Sequence, residues 1–164
     1  MRRILALAAA LSVIALTGSA GAQQPTQVSS KLKDTIDHMK EYAATKQGLI
    51  SRTPQGTVYY KWIQSPPPGF EKAYFQLIEL NVGKKFLCLK LLRKTPGGDE
   101  VTVLNDNNMS STVEEAYRAT GRTYADADRA IQTSQDKLKI AITPEMNATW
   151  AAMLEELKWE LRSN

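Results

Sequence analysis

"KKFLCLKLLRK", residues 84–94, is the stretch on which the fold turns. Its apolar centre is far too short to cross a bilayer, so it reads as a strand. With a period of two, Leu87, Leu89 and Leu91 fall on one face. Phe86, Cys88, Lys90 and Leu92 fall on the other. A run this apolar predicts a central strand, covered on both faces or with its second face partly shielded. Cys88 is the one cysteine of the 164 residues, so no intramolecular disulfide can form. Among leucines and phenylalanine it reads as a small buried hydrophobe, since that setting raises a thiol pKa and a nucleophile needs the reverse. Pairing with another molecule is the alternative for an odd cysteine.

Strands flank this stretch on both sides. "TVYYKWIQ" (57–64), "AYFQLIEL" (73–80) and "EVTVLN" (100–105) are rich in β-branched and aromatic residues. "NVGKK" and "KTPGGD" supply short glycine-bearing turns, which make antiparallel neighbours. "SPPPGF" (65–70) cannot pair in a sheet, because prolines lack the N–H donor; it predicts a stiff loop. Further on, "KLKIAI" (137–142) alternates, with Leu138, Ile140 and Ile142 inward and lysines outward, as in an edge strand.

Helices are expected at both ends. Ser30 reads as an N-cap, and Leu32, Ile36, Met39 and Ala43 form one apolar stripe running to about Lys46. At the other end Thr143 caps, Pro144 takes the first helical position and Glu145 the first turn. There Met146, Trp150, Met153, Leu154, Leu157 and Leu161 share a face. Between them, Ser111 and Glu114 have capping-box spacing and Gly121 stands where a helix would stop, so a helix is expected after "DNNMSS". A further short helix is expected over 123–134. The order is then α-β-β-β-β-α-α-β-α. It describes an α+β domain over 30–164: a mainly antiparallel sheet of about five strands, with N- and C-terminal amphipathic helices packed on it.

The first residues give an address. Arg2 and Arg3, the apolar run 4–16 and the small-residue site Ala20-Gly21-Ala22 have the order of a cleavable signal peptide over 1–22. Cleavage after Ala22 would leave a polar, flexible segment at 23–29 and a periplasmic or secreted protein without stable membrane insertion. The chain carries 21 Lys and Arg against 17 Asp and Glu, a net +4. Without the two leader arginines the excess falls to two charges, which removes the main support for nucleic-acid binding.

Chemical motifs are sparse. A single histidine, His38, lies on the polar side of the first helix among Asp34, Asp37 and Glu41, and no G-x-S-x-G elbow occurs. One His and one Cys cannot supply a zinc site. "LNDNNMSS" lacks the glycine and terminal glutamate of a calcium loop and reads as a turn. No phosphate-cradling glycine motif is present, so no metal, cofactor or catalytic residue is assigned. Two features suit contact with a partner. Trp62, Phe70 and Tyr74 bracket the stiff proline loop, where they either line a groove or pin the loop by stacking. Trp159 falls opposite the apolar stripe of the last helix, beside Arg162, and reads as exposed unless that turn packs on the first helix. The reading is an exported binding or inhibitory protein that acts without catalysis on a protein or small-molecule ligand. The alternatives are a small secreted hydrolase using carboxylates, or an envelope structural or assembly factor.

Overall fold

The computed structural model describes residues 24–163; the leader and its cleavage site lie outside the described residues. The elements run α1 (Ser30–Ala44), β1 (Ile50–Thr53), β2 (Gly56–Ile63), β3 (Lys72–Leu80), β4 (Lys85–Thr95), β5 (Gly98–Asp106), β6 (Glu115–Gly121), α2 (Tyr124–Thr133), α3 (Gln135–Leu138), β7 (Lys139–Ile140) and α4 (Pro144–Arg162). All seven strands form one antiparallel meander, each beside its sequence neighbours. The class is α+β, with β4 at the centre and buried on both sides for most of its length.

Alternation sorts the sheet into two faces. Leu87, Leu89 and Leu91 join Phe75, Leu77 and Leu104 in a core closed by Leu32, Ile36 and Met39 of α1 and by Trp150, Leu154 and Leu157 of α4. The opposite face carries Tyr74, Leu92, Val101, Val103 and Tyr117, packed under Ala127 and Ile131 of α2. The two long helices thus share one face, and α2 covers the β5–β6 half of the other. Cys88 is buried on this second face with a free thiol. Burial pushes that thiol up to about 12, although the Lys90 charge pulls the other way.

Several expectations are corrected. The segment read as a helix after "DNNMSS" is strand β6, paired with β5 in the register Val103↔Tyr117. Its Glu-Glu-Ala-Tyr-Arg sequence suits a helix locally, but a strand here completes the ladder beside β5 and buries Ala116 and Tyr117 on opposite faces; tertiary pairing overrides propensity. Ser111 is not a cap: its φ is 76°. Glu114 accepts from Asn107 N (2.9 Å) instead. Gly121 is needed because α2 passes so close that a Cβ would lie 2.6 Å from Ala127 N.

A strand absent from the sequence reading, β1, forms a tight hairpin with β2, in which Pro54 and Gln55 are the turn and Thr53 pairs with Gly56. The predicted strand 137–142 shrinks to two residues, Lys139 and Ile140. A helical turn before it swings Leu138 under α2, away from Ile140 and Ile142 on the α1/α4 face. The sheet therefore has seven strands rather than five. At the start of α1 the cap is Ser29, one residue earlier than expected, and its Oγ accepts from Lys31 N. Thr143 caps α4 as its sequence implies, accepting from Met146 N.

Candidate functional site

The proline loop ends in a turn that follows from its composition. Phe70 N donates to Pro67 O (3.1 Å), with Gly69 at φ 85°. Proline followed by glycine at positive φ is the sequence of a type II turn. This reversal sets the β2–β3 register, placing Trp62 directly opposite Tyr74. Their ring centroids lie 4.5 Å apart at 41°, and Tyr60 stands 6.4 Å from Tyr74. Tyr74 is 7 % exposed and forms the floor, while Trp62 is 43 % exposed and forms the rim. On this face α2 packs mainly on β5 and β6, with Tyr74 in the buried cluster at its edge and Trp62 left exposed beside it.

Phe70 leaves this group. It packs half-buried against the α1/α4 core, and the Arg93 guanidinium lies 5.4 Å from its ring. The three aromatics around the loop are therefore two sites on opposite faces: Trp62 with Tyr74, and Phe70 with Arg93. Trp159 stands apart from both, 62 % exposed on the outer side of α4.

Beside Tyr74, Lys90 is buried and donates to Asp128 Oδ1 at 2.6 Å, and Asp128 Oδ2 accepts from Gln132 Nε2 at 2.9 Å. This pair ties α2 to the central strand and neutralises a cation on an aromatic floor. Tyr60 is pushed up to about 12, by burial first, with Lys90 opposing. Tyr74 is raised further, again by burial. Near neutral pH, then, the phenols and the thiol of this face are protonated. They can stack and hydrogen-bond, but they offer no ready nucleophile.

The sequence reading missed a polar row crossing this face through Tyr60, Gln76, Cys88 and Asn105, which are aligned strand to strand. Gln76 stands directly opposite Tyr60 across the β2–β3 pair. Among the described residues, Asn105 Oδ1 is buried without a hydrogen-bond partner, as is Asn107 Oδ1 nearby. Asn107 Nδ2 is used by Glu115, which also accepts from Tyr117 OH and Lys139 Nζ. A buried orphan acceptor costs about 1–3 kcal/mol. Asn105→Val, which suits a strand and removes the orphan, is therefore expected to raise stability by about 1 kcal/mol in urea titration. A loss instead would mean that the amide already has a partner.

His38 is exposed on α1, and no hydrogen bond or ion pair joins it to a carboxylate among the described residues. Among the described residues, no group of three or more His, Cys, Asp or Glu is placed to hold a metal ion. No described helix is long and apolar enough to cross a membrane. Compared with protein-family models, curated proteins and solved structures, the chain matches none.

Proposed function

We propose that the protein is an exported binding or inhibitory protein of the bacterial envelope, periplasmic or secreted, which captures its ligand without chemistry on the open half of the α2 face. The observation that carries this reading is Trp62, 43 % exposed yet braced against Tyr74. A large aromatic with a fixed floor offers contact area at little cost in conformational entropy, as interface anchors do. The charge order of residues 1–22 supports export. A hydrolase using His38 would need a convergent partner for an imidazole that instead faces solvent. An assembly factor would show a broad apolar patch, whereas the exposed large hydrophobics of the described residues lie on different parts of the fold: Trp62 on the Tyr74 side of the sheet, Val82 in the β3–β4 turn and Trp159 on α4, which packs on the other side.

The test is capture from envelope extract, with wild-type and variant protein as bait. Trp62→Ala is expected to weaken capture about 30-fold or more, as loss of a hot-spot aromatic does, with native far-UV circular dichroism. Phe70→Ala, on the other face, should leave that capture intact. Equal capture by Trp62→Ala would remove this surface from consideration.

A further inference from the structure

On the α1/α4 face, at the end of the sheet near the proline loop, three charged side chains share one small area. Glu100 on β5 is nearly buried, with Arg93 of β4 on one side and Arg118 of β6 on the other. Arg93 Nε lies 2.8 Å from Glu100 Oε1, and Arg118 Nε lies 3.6 Å from the same oxygen. Arg118 Nε also donates to Thr102 Oγ1 at 3.3 Å. Both arginines are thus held through Nε. Their Nη groups, the outer edge of each guanidinium, make no hydrogen bond to the protein among the described residues, and the side chains are 37 % and 40 % exposed. Phe70 holds the Arg93 guanidinium from a third side.

Two features separate this cluster from an ordinary surface ion pair. Two cations face one anion, so a positive charge is left over. Both forks are also fixed before anything binds. A guanidinium presents donors in a plane that matches an oxyanion, and pre-ordering lowers the cost of using them. We infer that Arg93 and Arg118 form a binding site for the oxyanion of a small molecule, a carboxylate or a phosphate ester, with Glu100 and Phe70 as positioning groups. The site is separate from the Trp62 surface and does not depend on it.

The experiment follows the arginine Nε–Hε signals of ¹⁵N-labelled protein during titration with inorganic phosphate and, separately, acetate, each at ionic strength fixed with chloride. Saturable shifts of the Arg93 and Arg118 signals are expected, while exposed Arg129 on α2 stays still. Saturation by phosphate alone assigns a phosphate ester, by acetate alone a carboxylate, and by both a general oxyanion site. Arg118→Gln should weaken the response of Arg93 about tenfold or more, the effect of losing one charged donor pair. Shifts that rise linearly, that Arg129 shares, or that survive Arg118→Gln unchanged would overturn the site. The cluster would then be a cross-strand ion triplet and nothing more.

Discussion

Glu160→Ala is expected to destabilise the protein by about 3–5 kcal/mol, a large part of what a domain of this size has to lose. Glu160 on α4 and Lys61 on β2 form an ion pair in which each side chain is 1 % exposed. Glu160 Oε1 also accepts from Gln64 N at 2.7 Å, and Lys61 Nζ donates to Trp62 O at 2.8 Å. The Tyr42 ring lies 4.8 Å from the same ammonium. Removing the carboxylate strands a buried cation against an aromatic ring and a helix. The cost comes from that isolation more than from the attraction lost. Hence Lys61→Met with Glu160→Leu should return to within about 1 kcal/mol of wild type, because neither charge is then taken out of water. Gln64 is exposed, so water can serve its freed N–H. Urea titrations of both singles and the double, with the slope unchanged, give the cycle. A double variant as unstable as the worse single would show that the pair itself holds α4 to β2. The pair also fixes the backbone of residues 61–64, the stretch that presents Trp62.

That pair was illegible because its members are 99 residues apart and each, taken alone, reads as a solvated charge. A faint signal existed. Glu160 falls on the apolar stripe with Met153 and Leu157, and Lys61 alternates in phase with buried Ile63. Where information is local, the chain was readable. Thr143-Pro144-Glu145 starts α4 by capping chemistry confined to one turn, and the alternation in 86–92 sorts β4 onto two faces without reference to a neighbour. Where a partner decides, it was not: β6 has the composition of a helix and becomes a strand because β5 offers it a ladder. The same contrast applies to the candidate surfaces. Trp62 facing Tyr74 follows from an ordinary hairpin register, whereas the departure of Phe70 depends on the turn at Pro67–Phe70. The guanidinium pair spans three strands and needed the register of all of them.

Asp106→Ala is expected to cost about 2–4 kcal/mol, although the residue touches neither candidate surface. Its carboxylate is fully buried at the end of β5 and accepts from Ser110 N (2.9 Å) and Ser111 N (2.6 Å). Those bonds hold the connection to β6 in a shape that two of its residues resist, since Met109 and Ser111 have φ of 59° and 76°. The strained loop is a junction for both long helices. Met109 O accepts from Ser29 N at the cap of α1, and Ser111 O accepts from Trp150 Nε1 of α4. Removing the carboxylate would orphan two inward N–H groups and release both tethers. Burial raises the pKa of Asp106, and the loop N–H groups oppose that rise. Folded protein therefore holds this proton more tightly than the unfolded chain. Its charge becomes a growing cost as pH climbs from the ordinary aspartate value to the folded one, and that slope should vanish in Asp106→Ala. Ser111→Gly is the informative partner variant: glycine accepts positive φ, so stability should rise by about 0.5–1 kcal/mol if the loop is strained and its bonds impose the strain. Denaturant titration of both variants decides between the readings. A harmless Asp106→Ala would mean that packing of Met109, not the carboxylate, shapes the loop.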